Sequence, residues 1–196
     1  QAVQGQPNHF DFQEKRVICV LLVDGLGVSN VFNAGGHAAF LNSSKQEKIY
    51  CYFPSTTSTS LTSLFSGYSP LSTKFTGYQI YDRKIGKSMN LLSGWESFDE
   101  GRAFQSLQTI SEQALIGGVP LKVVSLETYQ DSGLTGATTR GANFHSANSV
   151  EERFDVAKRL IRSVEGLIYL YVPELDQTAH VFGSNSDKWF KQMEAL

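Results

Sequence analysis

RVICVLLVDGLG, residues 16–27, decides the fold class. Residues 17–23 form an unbroken apolar run, typical of a central strand in a parallel sheet covered on both faces. Asp24 closes the run, and Gly25 and Gly27 let the chain turn closely around whatever Asp24 binds. The pattern recurs twice. LIYLYVPELDQTAH, residues 167–180, carries an apolar strand at 167–172 into Asp176 and His180, and KIYCYFPSTT, residues 48–57, carries a strand-like segment at 49–53 into Thr57. In open α/β sheets ligands bind outside the carboxyl ends of the strands. Two carboxylates, an imidazole and a hydroxyl are therefore expected in one cleft. That set suits a divalent metal and a threonine nucleophile, and it points to phosphoester chemistry.

The rest of the chain supports a layered α/β domain. Leu61, Leu64 and Phe65 fall at helical spacing in 58–66, before SGYSP breaks the pattern. Residues 68–101, rich in glycine, serine and tyrosine, read as an irregular or short-stranded excursion. Residues 103–116 read as one helix, 119–126 as a third strand and 133–148 as a long loop. The spacing predicts an amphipathic helix over 149–163, opened by Ser149 with Glu152 three residues on, a capping box. A last helix opens after Ser186 with Trp189, Met193 and Leu196 on one face. It stops on an apolar residue without a cap, so more protein is expected after Leu196. Residues 1–14 are polar and read as a flexible lead-in to a domain over 15–196.

Composition excludes several classes. The chain has 196 residues, 41% of them hydrophobic and 18% charged, which suits a globular domain rather than a disordered one. A net charge of -2 leaves no basic surplus for a nucleic-acid polymer or an anionic membrane. No apolar run is long enough for a membrane span. No secretory signal is visible, which favours the cytoplasm and leaves the compartment open. Cys19 and Cys51 are expected to be small buried hydrophobes, not a bridge. KIGKS at 84–88 lacks the leading glycine of a phosphate loop, with Tyr81 in its place.

Each site element also has a plainer reading. Asp24 could simply form a turn or cap a helix. The hydroxyl cluster after Pro54 leads into a helix, whose N-terminus is a natural phosphate seat, but Thr56, Thr57 or Ser58 could be there only as caps. Asp176 and His180, at i and i+4, share one helical face and could reach one metal; they could equally be a surface turn with an incidental histidine. Glu174 is expected to face solvent. His9, His37 and His145 read as structural or exposed, with His145 and Arg140 the outside candidates for substrate and phosphate contact.

VLLVDGLG, FPSTTSTSLTSLFSGYSP and YLYVPELDQTAHVFG together resemble the type I phosphodiesterase / nucleotide pyrophosphatase family of the alkaline phosphatase superfamily, over residues 16–196. The resemblance implies an alkaline-phosphatase-like three-layer α/β/α sandwich with a mainly parallel central sheet, incomplete at the C-terminus of this chain. It also implies two divalent metal ions, usually zinc, about 4 Å apart. Asp24 and Thr57 would hold one metal, and Asp176 and His180 the other. Thr57 would be the nucleophile that forms a covalent intermediate, and the substrate a small phosphodiester or nucleotide. Thr57 is preferred to Thr56 because it stands third after Pro54. Two features depart from the family pattern. Ser60 stands where eukaryotic-type members carry an asparagine that helps hold phosphate. The later Asp-His pair and further histidine have no counterpart after His180, so the second metal site is incomplete here. A relative that binds a metal or phosphorylated ligand without turnover is the alternative.

Overall fold

The computed structural model describes residues 1–9, 12–44, 47–83, 86–163 and 165–196. The first two residues of the KIGKS stretch, and parts of the predicted lead-in and of the 68–101 excursion, lie outside them. In chain order the elements are β1 (Val17–Val23), α1 (Val28–Ala34), α2 (Ala39–Ser43), α3 (Thr57–Ser66), α4 (Pro70–Thr73), β2 (Gln79–Asp82) and β3 (Lys87–Asn90). There follow α5 (Phe98–Phe104), α6 (Ile110–Ile116), β4 (Leu121–Ser125), α7 (Gly133–Thr138), β5 (Asn143–Ser146), α8 (Val150–Ser163), β6 (Gly166–Val172), α9 (Glu174–Phe182) and α10 (Asp187–Glu194).

The main sheet has the order β1-β6-β4-β5. β4 runs parallel to both neighbours, with Leu121 opposite Leu167 and Lys122 opposite Asn143. β6 lies between β1 and β4, and its apolar and aromatic side chains are buried along almost its whole length. β1 is an edge strand among the described strands, not the central one its apolar run suggests. Cys19, Val20 and Leu21 are exposed on it.

The chain divides into two compact units. The first comprises Gln1–Val20 and Cys51–Leu170. Its sheet core joins Val124, Ile168 and Leu170 to Ala157 of α8, with Phe154 and Leu160 packed beside them. α8 begins as predicted: Ser149 Oγ accepts from the Glu152 N–H at 3.1 Å, and Glu152 Oε2 accepts from the Ser149 N–H at 3.1 Å. A second cluster stacks Phe75 on Trp95 and sets both edge-on to Phe104. The second unit comprises Leu21–Tyr50 and Tyr171–Leu196. Its core is Ala34, Ala38, Leu175, Trp189 and Met193. α10 opens on Ser186, whose Oγ accepts from the Trp189 N–H, and buries Trp189 and Met193 as the spacing predicts.

Three readings need correction. Residues 49–53 form no strand: Ile49, Tyr50, Tyr52 and Phe53 are exposed side chains on irregular backbone, and Cys51 is exposed with them. β-Propensity there has no neighbouring strand to satisfy it among the described residues. Residues 103–116 are not one helix. The chain breaks after α5, where the buried Gln105 carboxamide donates to the Ala137 carbonyl and accepts from the Leu107 N–H. Thr109 then starts α6 with its own capping box to Glu112. Residues 133–148 are not a loop, since they contain α7 and β5. Glycine in α7 is there for contact: a Cβ on Gly136 would stand 2.0 Å from the Phe98 carbonyl oxygen of α5. The 68–101 excursion is short-stranded as read, with the antiparallel β2–β3 hairpin inside it.

Candidate active site

In the second unit, Asp24 follows β1 directly, and its N–H donates to the Val172 carbonyl at 2.9 Å. Both carboxylate oxygens of Asp24 are engaged. Oδ1 accepts from the Gly25 N–H at 3.0 Å, and Oδ2 accepts from the Tyr171 hydroxyl at 2.6 Å. Gly25 has φ +74°. The missing Cβ matters as much as the dihedral: a Cβ on Gly25 would lie 2.7 Å from the Asp176 Cα. Glycine thus lets the first turn of α9 sit against the Asp24 turn.

α9 is held by Leu175, fully buried among Trp189 and Met193. Its register places Asp176 in the first turn and His180 one turn on. The two face each other as predicted, with His180 Nε2 3.4 Å from Asp176 Oδ2. The Asp176 carboxyl is pushed up from its ordinary value by burial first and by the Asp24 charge second, and the His180 ring pulls it back. Negative charge is therefore concentrated at the ends of β1 and β6, where a cation would relieve it. Glu174 is half-buried with Oε2 enclosed, rather than facing solvent.

Carboxylate oxygen and imidazole nitrogen are donor types that a divalent ion accepts. Two ligands of a tetrahedral centre with bonds of about 2.0–2.1 Å stand about 3.3–3.4 Å apart, and the Asp176–His180 separation is 3.4 Å. Among the described residues, no group of three or more His, Cys, Asp or Glu side chains is placed to hold a metal. Among the described residues, Asp176 and His180 form a pair with the Asp24 turn packed beside it.

Thr57 and Ser60 belong to the first unit. Thr57 is the first residue of α3, and both side chains are half-buried. At i and i+3 they are neighbours on the helix surface. The surrounding hydroxyls are structural. Ser58 Oγ donates to the Gly77 carbonyl at 3.1 Å, Thr62 Oγ1 to the Ser58 carbonyl at 2.7 Å, and Ser66 Oγ to the Thr62 carbonyl at 2.6 Å. Thr56 occupies the N-cap position, but its side chain makes no cap hydrogen bond; its Oγ1 donates to Thr59 Oγ1 instead. Phe65, edge-on to Tyr169 of β6 at 4.7 Å, anchors the far end of α3 to the sheet.

The outside candidates have other work. Arg140 is buried, paired with Glu112 at 3.1 Å, and donates to the carbonyls of Gln105, Gly136, Ala137 and Leu107. It is a structural lock, not a phosphate partner. His145 lies on β5, and burial first and Lys122 second hold its imidazole below the usual range. His37 accompanies α10, its ring stacked on Phe190 and its Nδ1 2.6 Å from Glu194. His9 is exposed. Sequence reasoning missed Tyr171. A tyrosine near the end of a buried strand has to find a partner for its hydroxyl, but the sequence carries no signal that the partner is Asp24.

The mainly parallel sheet with helices packed on it is a mixed α/β layered fold. A family model for type I phosphodiesterase / nucleotide pyrophosphatase matches residues 18–196, and the chain belongs to that family. Among solved structures it is similar to murine ectonucleotide pyrophosphatase / phosphodiesterase 5, an inactive threonine-to-alanine variant in complex with AMP. The TM-score is 0.67 at 16% identity, covering 92% of this chain and 49% of that one. It is also similar to phosphonoacetate hydrolase from Sinorhizobium meliloti 1021 in complex with phosphonoacetate, with TM-score 0.62 at 15% identity, covering 91% of this chain and 51% of that one. The chain therefore spans about half the length of the solved structures it matches. A comparison with curated proteins finds no match. Among the described residues no helix is long and apolar enough to cross a membrane.

Proposed function

We propose that the protein hydrolyses phosphodiester or nucleotide pyrophosphate bonds through a covalent intermediate on Thr57. The observation that carries this reading is the acidic turn: Asp24 directly after β1 and Asp176 in the first turn of α9, packed so closely that a Cβ on Gly25 would lie 2.7 Å from the Asp176 Cα, with His180 3.4 Å from Asp176. Family membership supports it, and so does the AMP bound to the murine neighbour, whose threonine-to-alanine change accompanies loss of activity.

Thr57 Oγ attacks phosphorus, and the leaving alcohol or phosphate departs with a proton. Water then cleaves the phosphothreonine ester and restores the hydroxyl. The first turn of α3 directs backbone N–H groups and the positive end of its dipole at the phosphoryl oxygens. Ser60, one turn on, offers a further hydroxyl donor. Asp24 with Thr57, and Asp176 with His180, would hold two divalent ions, with zinc the best match to oxygen and imidazole donors. When bound, these ions supply charge stabilisation and lower the pKa of the attacking oxygen. The substrate is a small diester or nucleotide rather than a nucleic-acid polymer, in keeping with the net charge of -2. Thr57→Ala in the intact protein should abolish hydrolysis of bis(p-nitrophenyl) phosphate; unchanged turnover removes Thr57 from the mechanism.

A further inference from the structure

We propose that Tyr171 is a positioning residue for Asp24, and that its hydroxyl sets the cation affinity of the site. The inference rests on the metal-dependent reading above. Tyr171 is the penultimate residue of β6 and is buried, with 7% exposure. Its hydroxyl donates to Asp24 Oδ2 at 2.6 Å, while the Gly25 N–H donates to Oδ1 at 3.0 Å. Two donors, one on each oxygen, fix the plane of the carboxylate. The Gly25 donor comes from the adjacent peptide and turns with Asp24. The Tyr171 donor comes from another strand, 147 residues away in sequence, and ties the carboxylate to the sheet. The Asp24 backbone is tied to the same strand end through the Val172 carbonyl. The Tyr171 hydroxyl is thus a contact from the sheet that restrains rotation of Asp24 about χ1 and χ2. A ligand held in its binding rotamer loses less freedom when it captures an ion, and partners of this kind commonly change metal affinity by about 10–100-fold.

The test compares Zn2+ affinity of the intact protein and its Tyr171→Phe variant, by competition with a chromophoric chelator. The expected result is about 10–100-fold weaker binding, with the metal-stripped variant still unfolding in one cooperative transition at a somewhat lower melting temperature. In an Asp24→Asn background the same substitution should add nothing, because Tyr171 acts through Asp24. Equal Zn2+ affinity in Tyr171→Phe and the parent overturns the proposal, as does a loss that persists in the Asp24→Asn background. Should the phenylalanine variant fold poorly, 3-fluorotyrosine at position 171 reads the same coupling. Its 19F resonance should shift in step with Zn2+ occupancy, and a resonance indifferent to zinc refutes the role. A parent protein that binds no Zn2+ refutes the metal reading itself, and this inference with it.

Discussion

The Asp176 Cα stands where a side chain on Gly25 would have to go: a Cβ there would come within 2.7 Å of it. This contact seats the first turn of α9 against the Asp24 turn. Gly25→Ala is therefore expected to be doubly unfavourable. The left-handed backbone alone costs an ordinary residue about 1–2 kcal/mol, and the clash is with main chain that cannot swing aside. The urea midpoint should fall, with Asp176 displaced. A variant as stable as the parent would show that the two turns do not touch.

The α5–α7 contact makes a parallel prediction with an internal control. A Cβ on Gly101 would stand 1.7 Å from the Gly133 carbonyl oxygen, whereas one on Gly36 meets nothing within 4 Å. Gly101→Ala should lose stability sharply. Gly36→Ala should be neutral or gain about 0.4–1 kcal/mol through the unfolded chain. Denaturation curves that rank the two the other way would contradict the packing.

Arg140 tests the distinction between a lock and a ligand. Arg140→Gln leaves carbonyls that the buried guanidinium had satisfied without their donor and should cost about 1–3 kcal/mol in unfolding free energy, while the folded fraction keeps its KM for a phosphodiester. A raised KM with unchanged stability would restore Arg140 as a phosphate contact.

His145 should make stability depend on pH. Its folded pKa lies below the ordinary value because burial, and then Lys122, disfavour the charged ring. Between the folded pKa and the unfolded value of about 6.5, the unfolded chain binds more protons. Stability is then fully present above that unfolded value and falls as the pH drops toward the folded pKa. Melting temperatures from pH 8 to pH 5 should decline less steeply in His145→Gln than in the parent. Parallel curves would show that His145 does not contribute.

Much of this architecture was legible because local and global signals agree. The apolar run that becomes the buried strand β6, the Ser149–Glu152 capping box that opens α8, and the Ser186 cap and buried Trp189–Met193 face of α10 are each specified by local signals that agree with their packing. What escaped was whatever depends on neighbours remote in sequence. β1 reads as a central strand but has an exposed edge position. Residues 49–53 have strand composition and no strand beside them. α7 is a helix whose glycines look like breakers until α5 is placed against them. The same holds at the site. Asp24, Asp176 and His180 announce themselves by type and spacing, whereas Tyr171 becomes visible only when the ends of β1 and β6 are side by side.

The most direct test of the central claim is to acid-quench the intact protein during turnover of a nucleotide diester and map the phosphorylated peptides by mass spectrometry. The account predicts a phosphoryl or nucleotidyl adduct on Thr57, absent from Thr57→Ala. Turnover with no adduct at any quench time, or with the adduct on another residue, would contradict it.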